Sequence, residues 1–445
     1  MAAMNSKLKL VPALLDWFSA NARDLPWRRT RDPYAIWVSE IMLQQTQVKT
    51  VIPYWKRWMR ELPTIEAVAK ARSEKIHKLW EGLGYYTRAR NLQKAAKQIL
   101  EKHDGKFPRN FDDVLALPGI GRYTAGAICS IAFNQPTPIL DGNVIRVLTR
   151  VFGIGKNPRE KKTNAQLWRL AKELVAQVES SPSICRRRRK ESHSTSISSQ
   201  RLLTSSPTCA NLNQSLMELG ALVCTPRNPQ CMKCPVKKLC VALREGSIGE
   251  LPNLGKREAA TARHFVAFVV ERNGRFLVRQ RPAGAVNAHL WEFPNVEIGA
   301  RLSEPQHTRL PSIAGKISVI DGKRMCCGSE DPRSKAAANA AMEALGFAPK
   351  ELTPLCTVKH SITRYRITLE ALRVHFGGAS YTSPHPKRAM SGTRRARPSE
   401  KNGVWLPLTK LDSLAFTSAH RKILRAMETF KNLPRPVRSP AFRRS

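Results

Sequence analysis

The sequence predicts a multidomain chain, with an all-α unit over residues 8–245 followed by an α+β unit over residues 258–435. Three observations carry that expectation. Apolar residues recur at helical spacing through residues 8–178 with hardly a strand signal, the pattern turns to strand runs from Arg263, and Pro252-Asn253-Leu254-Gly255-Lys256 reads as the linker between them. With 445 residues and 42% hydrophobic side chains, the chain can bury two or three cores.

In the first unit, Leu92, Ala95, Ala96, Ile99 and Leu100 fall on one helical stripe. Ser73 is placed to cap a helix carrying Ile76, Leu79 and Trp80, and Met42–Val51, Ala125–Phe133 and Asn213–Val223 read as further helices. Between two of them lies Leu117-Pro118-Gly119-Ile120-Gly121, followed at once by Arg122-Tyr123-Thr124-Ala125-Gly126-Ala127. Pro118 stops one helix, Gly119 and Gly121 let the backbone approach a ligand, and the free amides of the next helix face an anion such as a DNA phosphate.

Of the ten cysteines, Cys224, Cys231, Cys234 and Cys240 are spaced C-x6-C-x2-C-x5-C, while the others are scattered. Four thiolates on one short loop suit a metal centre. Zinc is possible, but zinc knuckles bring two C-x2-C pairs and only one is present, so an iron–sulfur cluster fits better. Disulfides are disfavoured because nothing indicates secretion. Arg227, Lys233, Lys237 and Lys238 surround the cysteines with positive charge, which reads as a structural cluster presenting a basic loop to phosphate.

In the second unit, Phe265–Val270 and Phe276–Val278 flank Asn273-Gly274 as a hairpin would, and Ser361–Arg373 is another strand-rich run. Residues 186–209, 301–328 and 377–402 interrupt the periodic sequence and are expected to be disordered insertions; basic tethers for nucleic acid are the alternative reading, as is a nuclear signal for Arg186–Lys190. The first insertion falls between helices that must pack together, so it is expected to loop out.

The net charge of +41 favours a polyanionic partner, with nucleic acid the natural candidate. No apolar run of about 20 residues is present, and Met1–Leu10 is short and mixed, so the expectation is an intracellular protein without a membrane span.

Asp24-Leu25-Pro26-Trp27-Arg28, Trp37 to Val48, Gly82-Leu83-Gly84-Tyr85-Tyr86, Leu117 to Ala127, Ile139 to Val144 and the four-cysteine spacing, six motifs in order, together resemble the MutY-type adenine DNA glycosylases of the helix-hairpin-helix, endonuclease III superfamily. The resemblance is close over 8–178 and 210–245 and looser over 258–435. It implies a helix-hairpin-helix glycosylase core, a 4Fe-4S cluster on the four cysteines and a Nudix-like C-terminal domain. It further implies a monomer that removes adenine mispaired with 8-oxoguanine or guanine from double-stranded DNA, in the cytoplasm at the nucleoid if the chain is bacterial.

Breaking an N-glycosidic bond needs an acid on the base side and a carboxylate near the cationic sugar. Glu40, among Val38, Ile41, Met42 and Leu43, is placed for partial desolvation that would keep it a proton donor. Asp141, after the apolar Pro138-Ile139-Leu140 and before Gly142, is placed to aim a carboxylate into a cleft. The plainer reading makes Glu40 an exposed helix acid and Asp141 a helix cap. The resemblance implies that Glu40 protonates adenine and helps activate water, that Asp141 stays ionised to stabilise the sugar with Asn143 positioning it, and that Gln45 and Tyr85 enter the base stack. Gly119, Gly121 and Arg122 are the expected DNA-binding residues of the hairpin. Tyr123 lies where the endonuclease III group carries a Schiff-base lysine, so a monofunctional enzyme is expected, with Tyr123 at most polarising or contacting the sugar.

Leu290-Trp291-Glu292-Phe293-Pro294 looks Nudix-like, yet Ser334–Phe347 holds one glutamate, Glu343, where a Glu-rich metal box would lie. One glutamate cannot hold the magnesium needed for diphosphate hydrolysis, which implies recognition without hydrolysis. The family's Phe-Ser-His motif corresponds to His360-Ser361-Ile362-Thr363-Arg364-Tyr365, so Thr363 stands for the serine and Arg364 replaces the histidine. A Nudix-type hydrolase of oxidised nucleotides is disfavoured by the missing acidic box, and the insertions keep open a non-catalytic DNA-binding protein.

Overall fold

The computed structural model describes residues 2–180, 208–256, 258–298, 317–318, 325–326, 332–347, 349–362, 364–375 and 403–431. The chain divides into two compact units, Met1–Arg257 and Glu258–Ser445.

The first unit is helical throughout its described residues: α1 (Ala2–Asn21), α2 (Pro33–Leu43), α3 (Val48–Glu61), α4 (Ile65–Lys70), α5 (Ser73–Trp80), α6 (Thr87–Lys102), α7 (Phe111–Leu115), α8 (Arg122–Phe133), α9 (Gly142–Phe152), α10 (Lys161–Ser180), α11 (Cys209–Leu222) and α12 (Val241–Arg244). α2 starts because the Asp32 carboxylate accepts from the Tyr34 and Ala35 amides and Pro33 supplies a preset first turn. Leu14 of α1, Val147 of α9, Leu174 of α10 and Leu216 of α11 meet in one core. α10 and α11 thus pack together although residues 181–207 separate them.

Four expectations need correction. The helix expected over Met42–Val51 is broken: α2 ends at Leu43 and α3 starts at Val48, with Gln45 left-handed at φ 55° between them. Ser73 is the first residue of α5 rather than its cap, which is Arg72. The insertion expected over 186–209 ends earlier, since the Thr208 hydroxyl accepts from the Asn211 amide and Cys209 opens α11. Within 301–328, β5 and β6, given below, pair with a neighbouring strand whose open edge offers them a ladder. The rest of the three insertions lies outside the described residues.

The second unit contains β1 (Thr261–Arg272), β2 (Arg275–Gln280), β3 (Trp291–Glu292), β4 (Asn295–Ile298), β5 (Ile317–Ser318), β6 (Met325–Cys326), α13 (Pro332–Leu345), β7 (Glu351–Ile362), β8 (Tyr365–His375), β9 (Val404–Pro407), α14 (Leu408–Ser413) and α15 (Ser418–Lys431). The sheet runs β3-β2-β1-β8-β7-β5, with β4 on β1, β6 on β7 and β9 on β2. β1 and β8 are parallel and the other named pairs antiparallel. Asn273 and Gly274, at φ 50° and 69°, make the tight turn between β1 and β2. Strand alternation splits β1 between two cores: Val266, Phe268 and Val270 face α13, and Ala267 and Val269 face α15.

Candidate active site

A cavity of about 510 Å³ opens in the first unit, bounded by α2, α8, the start of α9, and α11. Glu40, Tyr123, Asp141, Asn143 and Gln45 all line it, so the structure brings together residues from three separate segments of the chain.

Glu40 projects from α2 and is 5% exposed. Its Oε2 accepts the Tyr123 hydroxyl at 2.8 Å. Burial pushes the Glu40 carboxyl up to about 7; the Tyr123 hydrogen bond opposes the rise, neighbouring Asp141 adds to it and Arg28 subtracts. Glu40 is therefore a buried acid and not an exposed helix carboxylate.

Asp141 is both cap and cleft residue. Its Oδ1 accepts from the Val144 amide at 2.7 Å, starting α9, and its Oδ2 accepts from Asn143 Nδ2 at 2.9 Å. Burial raises its pKa while these hydrogen bonds and Arg146 resist the rise. Asn143 is itself held by Arg146, whose Nη2 donates to Asn143 Oδ1 at 2.8 Å. Gly126 decides where this segment runs: a Cβ there would stand 2.4 Å from the Pro138 carbonyl, so only glycine lets the approach to Asp141 lie against α8.

The Tyr123 hydroxyl is also 3.3 Å from Met217 Sδ, and burial, then the Glu40 and Asp141 charges, raise its pKa well above the usual phenol value. It acts here as a neutral donor.

The sequence reading missed the opposite wall. Glu218, 1% exposed on α11, takes two guanidinium groups, with Arg23 Nη2 and Arg28 Nη2 at 2.8 and 2.9 Å from its Oε2. Burial alone would raise Glu218, yet hydrogen bonds from Arg23 and Arg28 outweigh it and pull the carboxyl down to about 2. Its signal was an acid inside an apolar helix, the same signal that marked Glu40.

Gln45 and Tyr85 are both exposed and both left-handed, at φ 55° and 49°. Gly119, at φ 80°, needs its missing side chain, since a Cβ would lie 2.7 Å from Asn91 Cβ. Gly121 caps α8 with open space about it. Arg122 does not reach out alone: its guanidinium lies over the Trp168 ring at 4.0 Å. Thr363 lies outside the described residues. Arg364 is exposed, 3.6 Å from the Glu258 carboxylate and against the Tyr365 ring. Glu343 stands exposed on α13. Glu292 is buried, and Arg279 and Arg281 occupy its carboxylate.

Cys224, Cys231, Cys234 and Cys240 are free thiols lining one small apolar cavity with Val147, Val151 and Leu219. The four thiols therefore share one space in the fold. That donor set fits a multi-iron cluster better than a lone zinc. Arg150 braces it, donating to the Thr225 carbonyl at 2.8 Å and lying 3.5 Å from Cys224 Sγ.

Comparison with known proteins agrees with this geometry. Residues 38–173 match the HhH-GPD superfamily of base excision DNA repair proteins, 224–240 the iron-sulfur binding domain of endonuclease III, and 265–426 the NUDIX domain. An adenine DNA glycosylase from Buchnera aphidicola subsp. Schizaphis graminum is 36% identical over 285 residues, covering 64% of this chain and 74% of that protein. The chain belongs to the adenine DNA glycosylase family. Other members of this family from Rattus norvegicus and Homo sapiens are 37% and 38% identical, and the matches cover 67% and 64% of this chain but 64% and 57% of those proteins' lengths. The match over 224–240 assigns a 4Fe-4S cluster to that segment, where the four thiols are the donors that would hold it. Among the described residues no helix is long and apolar enough to cross a membrane.

Proposed function

We propose that this adenine DNA glycosylase family member hydrolyses the N-glycosidic bond of adenine mispaired with 8-oxoguanine or guanine in double-stranded DNA, as a monofunctional enzyme of base excision repair. The observation that carries the reading is Glu40, a buried carboxyl pushed up to about 7, beside Asp141 in one cavity. Near neutral pH such a group still holds a proton to give. Glu40 donates that proton to a ring nitrogen of the extruded base, the C1′–N9 bond breaks with its electron pair leaving on the base, and the sugar becomes an oxocarbenium ion. Asp141, acceptor-only and fixed by Val144 and Asn143, stabilises that cation. Water adds to C1′ and returns a proton to Glu40.

Tyr123 offers no amine for a Schiff base, so the product is an abasic site in an intact strand. Gln45 and Tyr85 open the stack, Gly119, Gly121 and Arg122 sit on the backbone phosphates, and Thr363 with Arg364 meets the opposite base. The four cysteines would hold the cluster, which would supply a structural cross-link when bound, and Arg227, Lys233, Lys237 and Lys238 on the same loop meet the DNA phosphates. The reading includes action as a monomer inside the cell, in the cytoplasm at the nucleoid if the chain is bacterial.

The test is single-turnover adenine release from a duplex carrying one adenine opposite 8-oxoguanine, beside an adenine–thymine control and the Glu40→Gln variant. Release from the mispair alone, lost in the variant and requiring alkali to break the strand, is expected. Tight binding without release would sink the enzymatic reading, and a borohydride-trapped adduct would sink the monofunctional one.

A further inference from the structure

Arg88, the second residue of α6, is 9% exposed and reaches across to two separate turns. Its Nη1 donates to the Ile41 and Met42 carbonyls at 2.9 and 3.0 Å and to the Gln44 carbonyl. Its Nη2 donates to the Leu83 and Gly84 carbonyls, both at 3.1 Å, and to Thr46 Oγ1 at 3.3 Å. The guanidinium plane lies 5.4 Å from the Trp80 ring centre and 5.6 Å from that of Tyr85.

The pattern of acceptors is specific. Ile41 and Met42 are in the last turn of α2, where carbonyls lack partners further along the helix. Gln44 and Gly84 supply the carbonyls of the two peptide planes that immediately precede Gln45 and Tyr85. Those two residues have the left-handed backbone, which non-glycine residues adopt only when their surroundings impose it. One planar fork therefore clamps both planes at once, which a lysine ammonium cannot do from a single point. Arg88 does not line the cavity that holds Glu40, but it does line, with Gln45, Tyr85 and Gly119, a second open cavity of about 220 Å³.

We propose that Arg88 is a positioning residue that locks the Gln45 and Tyr85 turns into one rigid element used to open the base stack. The inference rests on the function proposed above, and it separates stack opening from bond cleavage. The clamp adds nothing to the chemistry of Glu40; it fixes where two side chains meet the duplex before the base leaves it.

The experiment compares Arg88→Lys with the unaltered full-length holoprotein in two arms. In the first, hydrogen exchange is followed without DNA. Segments 41–47 and 83–87 are expected to exchange faster together, with α8 and α9 unchanged; a rise across the whole unit, or no rise, would overturn the lock. In the second, 2-aminopurine replaces the mispaired adenine to report unstacking, and adenine release is timed from the mispair and from adenine opposite an abasic site, where the stack is already broken. The variant is expected to lose the fluorescence rise and to slow release from the mispair by about tenfold or more, while release opposite the abasic site stays within about twofold. Equal slowing on both substrates would overturn the positioning role. Absence of release from the unaltered protein would instead remove the proposed function, and the exchange arm would still decide the lock.

Discussion

Replacing Glu40 by Gln is expected to make the protein more stable at alkaline pH while abolishing adenine release. A carboxyl moved from 4.5 to about 7 resists ionisation by about 3 kcal/mol, at about 1.4 kcal/mol for each pH unit. The unfolded chain ionises Glu40 above about pH 4.5 and the folded chain only above about 7. Its contribution to stability is thus complete below the lower value, declines between the two, and is lost once pH has risen through the upper one. Gln carries no charge at any pH and keeps an oxygen to accept the Tyr123 hydroxyl, now 2.8 Å from Glu40 Oε2. Urea unfolding followed by tryptophan fluorescence at about pH 5 and about pH 8 is the assay. The variant should gain about 2–3 kcal/mol at the higher pH and far less at the lower. Equal stability of the two proteins at both pH values, or a larger gain at the acid end, would refute the argument that burial holds this proton in place.

Tyr123→Phe removes a donor whose hydrogen bond lowers the Glu40 pKa, so Glu40 should keep its proton to higher pH; the alkaline limb of the single-turnover rate profile is expected to move upward. Gly119→Ala forces a side chain into the left-handed region at φ 80° and against Asn91; a loss of about 1–3 kcal/mol in stability and weaker, less salt-sensitive binding to duplex DNA are expected by thermal unfolding and by titration at two salt concentrations.

Much of this was legible because local chemistry decided it. The stripe from Leu92 to Leu100 made α6, Asn273-Gly274 made a hairpin, and the cysteine spacing marked one cavity. The break at residues 44–47 was not legible, because the carbonyls freed there are satisfied by Arg88, more than 40 residues away. Asp141 presented two readings, cap or cleft acid, and the fold makes both true, since the cap bond from the Val144 amide falls on Oδ1, the Asn143 side chain donates to Oδ2, and the carboxyl still lines the cavity. The β5 and β6 pairings escaped notice because two-residue strands carry no periodicity, and the edge of β7 supplies their register.

The ion pairs of Arg23 and Arg28 with Glu218 join residues 195 and 190 positions apart. One wall of the cavity is therefore absent until the chain has returned through α11, however well α2 has formed around Glu40. Without α11, Glu40 would lack one side of the cavity that it lines. The contact that completes this wall ties α11 back to the segment between α1 and α2, so the cavity takes its shape only where early and late parts of the helical unit meet.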